Sequence, residues 1–190
     1  EMTDLKGRMT LLDDMREVMT SALGMLGYSQ TVTDEKAIAQ AAELIKVWKK
    51  NIAKFDAESF GKGFASGDFW VVQGYPDNIF KELDETERKN VEMIIPEKGG
   101  TAYVDSFALL KTAPNKENAY KFLEYTLRPE VAAKMADALE TPSVNLKARE
   151  LMTVEPLFEI SDLKNVQVLR DINTTLDLQN KYWQEILIAD

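Results

Sequence analysis

The sequence contains neither cysteine nor histidine. Without these residues the chain cannot form a disulfide, attack with a thiol, or pair a serine with a histidine base. Zinc sites made of cysteine and histidine are excluded for the same reason, and the acidic residues do not have the spacing of a metal-binding loop. We therefore expect no metal, no cofactor and no catalytic residue.

Long apolar runs are also missing, and basic residues are scarce. No stretch approaches the roughly 20 apolar residues that a membrane-spanning helix requires. The chain has 23 Lys and Arg residues against 32 Asp and Glu residues, a net charge of −9, which argues against nucleic-acid binding through a basic patch. The first residue is Glu1 and the start is polar, so we expect no signal peptide here and an N-terminus that is cut or incomplete.

Extended and helical patterns alternate along the chain, which predicts an α/β fold. Short apolar segments at Arg8–Leu12 and Phe69–Val72 indicate strands. Apolar residues at helical spacing, with capping residues before them, predict five main helices: Met15–Gly24, Thr33 to about Phe55, Lys116–Thr126, one that starts at Arg128–Pro129, and Thr174–Ile188.

The central stretch, residues 91–110, predicts two extended segments, Val91–Pro96 and Thr101–Leu110, joined by a polar turn at residues 97–100. Tyr103 and Asp105 lie two residues apart, so their side chains point the same way in an extended chain. An aromatic face beside a carboxylate suits an organic cation. Asp105 can equally be a strand-end acid that caps a neighbouring backbone.

Three further residues stand at positions that suit a ligand. Asp14 and Glu17 are three apart in the first turn of a helix, where they share one face. Helix capping and compensation of the helix dipole explain both without a function. Tyr75 follows Gly74 at the end of the strand 69–72, and α/β proteins bind ligands at the carboxyl ends of strands. Tyr75 can also be an amphipathic residue at the edge of the core.

Five short motifs in one order resemble the spermidine/putrescine-binding proteins of polyamine ABC importers, which are type II periplasmic binding proteins. The resemblance covers about residues 4–189. The motifs are LLDDMREV at residues 11–18, IPEKGG at 95–100, VDS at 104–106, NKENA at 115–119 and LRPEVA at 127–132.

The resemblance implies a two-lobed protein, of which this chain forms one nearly complete lobe and part of the other, with a mixed sheet flanked by helices. It divides the chain into residues 1–104 in the second lobe, 105–145 in the first lobe and 146–190 in the second lobe again. A missing N-terminal lobe or a second copy would complete the cleft. An exposed apolar patch on the helices between Asn115 and Leu139 would follow.

The resemblance also implies a ligand site in which carboxylates hold the ammonium groups of a polyamine and aromatic rings flank its methylene chain. The positions that match are Asp14, Glu17, Asp105, Tyr75 and Tyr103, with Thr141 as a sixth. Thr141 departs from the family, where a tyrosine can occupy this position, and Leu169 stands where a glutamine can contact the ligand. The choice between spermidine and putrescine is left open by these departures.

The implied function is capture of a polyamine on the periplasmic or extracellular face of the cell membrane, with or without a lipid anchor upstream, and delivery to the membrane permease of an ABC importer. A binding protein of the same fold for another small ligand is the alternative. A hydrolase that uses Asp14 and Glu17 as acid and base has no supporting substrate motif, so we do not expect an enzyme.

Overall fold

A parallel sheet of three short strands, β1 (Met9–Leu11), β2 (Lys54–Phe55) and β3 (Val71–Val72), has the order β2-β1-β3. Both partners of the central strand run parallel to it, since a helix lies between consecutive strands in the sequence and returns the chain to the same end. The predicted α/β class is confirmed. The sheet was expected to be mixed, but every strand pair in the described part of the chain is parallel.

The computed structural model describes residues 3–98 and 100–189, except for the side chain of Thr3. It divides into two compact units, Glu1–Tyr103 with Asn165–Asp190, and Val104–Lys164. The assignment of residues 1–104, 105–145 and 146–190 to two lobes of a longer protein stays a prediction. The helices are α1 (Met15–Met25), α2 (Glu35–Lys49), α3 (Phe60–Ala65), α4 (Pro76–Phe80), α5 (Glu85–Arg88), α6 (Lys116–Thr126), α7 (Pro129–Leu139), α8 (Leu146–Arg149) and α9 (Leu176–Ile188), and two 3-10 turns are at Thr3–Leu5 and Ile160–Asp162.

The main core of the first unit lies between α1, α2 and α9. Each of these helices buries one apolar face, as their spacing of apolar residues requires, and a large aliphatic side chain contributes about 1.5–3 kcal/mol when fully buried. The Phe55 ring of β2 packs edge-on against Trp183 of α9, with centroids 5.0 Å apart. The buried members are Val18, Met19, Ala22, Leu23, Ile38, Ala41, Ala42, Ile45, Trp183 and Ile186.

A second, smaller core cluster consists of Leu12, Phe60 and Ile79, with Tyr75 packed against it. Gly74 is required here, because a Cβ on this residue would lie 2.2 Å from Cε2 of Phe60. The close contact of Gly74 with Phe60 of α3 therefore sets the position of Tyr75, the next residue in the chain.

Three sequence predictions about secondary structure are wrong: the end of one helix, the presence of one strand and the length of another. Helix α2 ends at Lys49 rather than near Phe55, because Phe55 pairs with Leu11 of β1. Residues 91–96 form no strand, and only Thr101–Ala102 (β4) is a strand within residues 101–110. Of the predicted turn, residues 97 and 98 form a turn, and Gly99 lies outside the described residues.

Strand β4 pairs in parallel with β5 (Gln167–Val168), near the other end of the chain. Only Gln167 and Val168 form a strand in this part of the chain. A pair of two-residue strands is too small to be stable alone, so other contacts must hold it.

The second unit contains α6, α7 and α8. Its buried residues include small ones on α7 and α8, Ala133, Ala136 and Ala148, so little apolar area is removed from water. Large apolar side chains are exposed instead, which confirms the patch expected on these helices: Tyr120, Phe122, Tyr125, Leu127, Met135 and Leu139. Among the described residues, no helix is both long enough and apolar enough to span a membrane.

Candidate functional site

Glu17 is a buried acid in the first turn of α1, with 2% of its surface exposed. Its two carboxylate oxygens accept hydrogen bonds from different hydroxyls, Oε1 from Tyr103 and Oε2 from Thr101. Thr101 is in β4 and Tyr103 follows it directly. Because side chains two residues apart in an extended chain point the same way, both hydroxyls reach the same carboxylate.

Asp14 caps α1 and thereby sets the position of Glu17. Its Oδ1 accepts hydrogen bonds from the backbone N–H of Arg16 at 2.9 Å and of Glu17 at 3.1 Å. The capping interpretation of Asp14 is therefore confirmed. Glu17 has a different role, since its carboxylate accepts hydrogen bonds from Thr101 of β4 and from Tyr103 after it.

Tyr75 and Tyr103 form an aromatic pair beside this carboxylate. Their rings meet edge to face, with centroids 5.9 Å apart and an interplanar angle of 63°, a geometry that aromatic rings favour. The Tyr75 hydroxyl lies 3.5 Å from that of Tyr103, while the Tyr75 ring packs on the second core cluster. Tyr75 is thus the amphipathic edge residue that the sequence allowed, and it also lies next to Tyr103.

Burial raises the pKa of Glu17 above its ordinary value of 4.5, and the hydrogen bond from Thr101 acts in the opposite direction. The charge of Asp14 raises the pKa further, and the charge of Arg16 lowers it. The net upward shift means that the ionised carboxylate is less well stabilised here than in water. The positive charge of a cationic ligand would stabilise the ionised carboxylate.

The structure brings together Glu17, Tyr75 and Tyr103 of the predicted site residues, with Asp14 supporting them. Asp105 and Thr141 belong to the second unit. Asp105 is exposed, and Thr141 is half-buried in the loop after α7, with its N–H bonded to the carbonyl of Ala136 at 3.2 Å. That any of the six predicted residues contacts a ligand stays a prediction.

The arrangement suits binding of an organic cation. A carboxylate has about four lone-pair sites, and the two hydroxyls use two of them, so acceptor capacity remains for an ammonium group. Tyrosine rings offer apolar contact and cation–π attraction to the same ligand. Within residues 3–98 and 100–189, no group of acidic residues could hold a metal ion.

Sequence reasoning missed Thr101 as a partner of Glu17. The signal was present, because Thr101, Tyr103 and Asp105 alternate along one predicted segment and so share a face. The sequence could not show that this face meets α1, since Glu17 and Thr101 are 84 residues apart.

Curated relatives with similar sequences are polyamine-binding proteins by name. The spermidine/putrescine-binding periplasmic protein of Escherichia coli K12 is 30% identical over 189 residues, which is 96% of this chain and 54% of the relative. The putrescine/cadaverine-binding protein of Pseudomonas aeruginosa is 28% identical over 193 residues, again 96% of this chain and 54% of the relative. The chain thus spans about half the length of the curated relatives it matches.

The fold is shared with a solved structure of similar sequence. The TpPotD lipoprotein of Treponema pallidum superposes with a TM-score of 0.91 at 34% identity, over 97% of this chain and 59% of that protein. This match confirms the periplasmic-binding-protein fold expected from the sequence, in part, since the chain covers only a portion of that structure.

The family model described as bacterial extracellular solute-binding protein matches residues 1–159. With the curated relatives, it confirms the resemblance to spermidine/putrescine-binding proteins and the expectation of a solute-binding family rather than an enzyme family. The chain belongs to the family of bacterial extracellular solute-binding proteins.

Proposed function

We propose that this chain is part of an extracytoplasmic solute-binding protein that captures a polyamine such as spermidine or putrescine and delivers it to the membrane permease of an ABC importer. The names of the curated relatives support this class of ligand. The observation that carries the proposal within the molecule is the buried carboxylate of Glu17 beside the Tyr75–Tyr103 ring pair.

The charge balance around Glu17 favours a cation over an anion. Glu17 forms no ion pair with a lysine or arginine among the described residues, and its partners are neutral hydroxyls. A buried charge without a counter-charge is costly, so an ammonium group at this position would gain a charge-assisted hydrogen bond. An anionic solute would meet repulsion from Glu17 and from Asp14 beside it.

The rings complement the rest of a polyamine. An aliphatic diamine has methylene groups between its charges, and these need apolar contact once they leave water. The Tyr103 side chain keeps 44% of its surface exposed, so its ring is available to such a chain. Asp105 is proposed to hold a second ammonium group when the ligand is bound.

The side of the ligand site opposite Glu17 is proposed to come from outside this chain. The chain covers 54% of the length of the Escherichia coli relative, so either a further segment of the protein or a second copy would face the Glu17 site. Sedimentation velocity with and without spermidine separates these cases, because only a second copy makes the chain dimerise on binding.

Calorimetric titration of the chain with spermidine and with putrescine tests the function. We expect both polyamines to bind. We expect no binding of 1,6-hexanediol, a neutral analogue that has hydroxyl groups in place of the amines. The titration is carried out at low and at moderate salt. Moderate salt screens the weak, non-specific attraction of cations to an acidic protein, so binding that persists there is specific. No heat with any polyamine at either salt concentration, both for this chain and for a longer chain that includes the further segment, would overturn the proposal.

Two variants of equal charge sharpen this experiment. Glu17→Gln should weaken binding by roughly 10- to 150-fold, the loss of one hydrogen bond to a charged group. Glu43→Gln removes the same charge from α2 at a side chain that is 72% exposed, and it should leave the affinity nearly unchanged. Equal losses in both variants would mean that net charge, and not this site, attracts the polyamine.

A further inference from the structure

Strand β5 has two edges, and β4 covers only one of them. The N–H of Gln167 donates to Gly100 O at 2.8 Å, and the N–H of Leu169 donates to Ala102 O at 3.3 Å. Since alternate residues of a strand direct their backbone groups to opposite edges, the carbonyl of Val168 and the N–H of Arg170 face away from β4. These two groups require other partners.

The side-chain amide of Gln30 supplies those partners. Its Nε2 donates to Val168 O at 3.1 Å, and its Oε1 accepts from Arg170 N at 3.1 Å. The same Nε2 also donates to Oε1 of Gln167 at 3.1 Å. One primary amide therefore takes the place of a peptide group of a neighbouring strand. Gln30 is only 5% exposed, so water does not compete freely for these bonds.

Arg16 holds the same edge from α1. Its guanidinium donates to the carbonyl of Arg170, the next backbone group along the strand. Arg16 directly precedes Glu17, so the helix that carries the buried acid also binds β5. Gln30 and Arg16 together fix residues 168–170 at the outer edge.

The other side of β5 leads to the ligand site. Strand β5 pairs with β4, and Thr101 of β4 and Tyr103 after it donate to the two oxygens of Glu17. Because each strand is only two residues long, the pair has little stability of its own. Displacement of β5 would therefore displace β4 and both hydroxyls.

We propose that Gln30 is a positioning residue for the polyamine site, acting through β5 and β4 on Tyr103 and Thr101; this role rests on the proposed function. Gln30 is too deeply buried to serve as a surface contact, and its three side-chain bonds end on Gln167 and Val168 of β5 and on Arg170 just after it. Its contribution is to hold the Tyr103 ring and hydroxyl where Glu17 and a ligand can use them.

Gln30→Leu, which is similar in size and makes none of these bonds, tests the proposal in calorimetric titrations with spermidine. We expect a loss of roughly tenfold in affinity, within the usual coupling range of residues in one network. In a Tyr103→Ala background the same substitution should change affinity by a clearly smaller factor than in wild type, because only Thr101 is then left for Gln30 to position. Gln40→Leu is the matched control, since Gln40 is an exposed glutamine that binds Tyr28 and not β5.

A measurement without ligand separates this role from the proposed function. The Glu17 carboxyl is titrated by carbon-13 NMR in wild type, Gln30→Leu and Gln40→Leu. Loss of the Thr101 hydrogen bond should raise the pKa of Glu17 further in Gln30→Leu, since that bond lowers it. The second variant, Gln30→Asn, keeps an uncharged amide with a shorter reach, and it should give a smaller shift than Gln30→Leu.

The outcomes are distinct. If wild type does not bind polyamine, with or without the further segment, but the Glu17 titration shifts in Gln30→Leu, the proposed function fails and the positioning of Glu17's partners stands. If affinity and the Glu17 titration are both unchanged while the melting temperature falls, Gln30 is a structural residue only and the inference is overturned. If Gln30→Leu does not fold, the same comparison is made with Gln30→Asn.

Discussion

The hydroxyl of Tyr103 donates a hydrogen bond to Oε1 of Glu17, 86 residues earlier in the chain. This contact joins the start of α1 to the end of β4 and leaves the tyrosine ring beside a buried carboxylate. One residue thus combines a polar contact with the acid and an apolar surface for a ligand. The first prediction separates these two properties.

Tyr103→Ala should weaken the binding of spermidine and of putrescine by a similar factor of roughly 2- to 30-fold, the range expected for a cation–π and apolar contact. The factors should agree because a ring contacts methylene groups and does not measure the spacing between amines. Tyr103→Phe keeps the ring and should retain most of the affinity. Titration calorimetry of the three proteins with both ligands checks this, and a loss confined to one polyamine would contradict it.

Asp105→Asn should weaken polyamine binding by about 1.5–3 kcal/mol, the worth of a hydrogen bond to a charged group. The fold should be little affected, because Asp105 is exposed. Titration gives the affinity, and thermal unfolding of the same sample gives the stability. Asp162→Asn, an exposed acid in the same unit, is the control for charge. Wild-type affinity in a folded Asp105→Asn protein would remove Asp105 from the site.

Glu17 should make the stability of the protein depend on pH. Its folded-state pKa is raised above the ordinary value of 4.5, so the folded protein holds this proton more tightly than the unfolded chain does. The stability that this group contributes is therefore fully present below pH 4.5 and is lost as the pH rises through the folded-state pKa.

The substituted side chain in Glu17→Gln does not ionise, so this variant does not lose stability in this way as the pH rises. Its free energy of unfolding, relative to that of wild type, should therefore increase as the pH is raised from acid to neutral. Urea denaturation of both proteins across this range measures the difference. A difference that stays constant with pH would show that the pKa of Glu17 is the same in the folded and unfolded states.

Lys49 should be important for the attachment of α9. Its ammonium group donates to three carbonyls at the end of that helix, those of Ile186 at 3.1 Å, Leu187 at 2.8 Å and Ala189 at 2.6 Å. A cation at a helix C-terminus also interacts well with the helix dipole. Lys49→Met should lower the free energy of unfolding by about 1.5–3 kcal/mol.

The adjacent Lys50→Met is a control for Lys49→Met, since Lys50 is exposed and follows the last residue of α2. It should change the free energy of unfolding by less than about 0.5 kcal/mol, as surface substitutions usually do. Urea denaturation measures both variants. Equal effects in the two would mean that loss of a positive charge, and not the contact with α9, is responsible.

The sequence alone was sufficient for the presence of the main helices and for the family. Helix α6 has the predicted bounds, Lys116–Thr126, because apolar spacing and helix propensity act over a few neighbouring residues. The apolar patch on α6 and α7 was also predicted, as a consequence of the resemblance to a longer two-lobed family. Asp14 as a cap followed from its position before the first apolar residue of α1.

The role of Glu17 and the β4–β5 pair were decided only by the tertiary structure. Two-residue strands are too short to show an alternating pattern, and their pairing joins residues 101 and 167. A carboxylate three residues into a helix reads locally as dipole compensation, and only the strand brought against it by the fold turns it into a buried acceptor. Gln30 gave no local signal, because all three of its partners are more than 130 residues away in the sequence. Periodicity and capping are short-range properties of the chain, whereas these contacts exist only after distant segments have packed together.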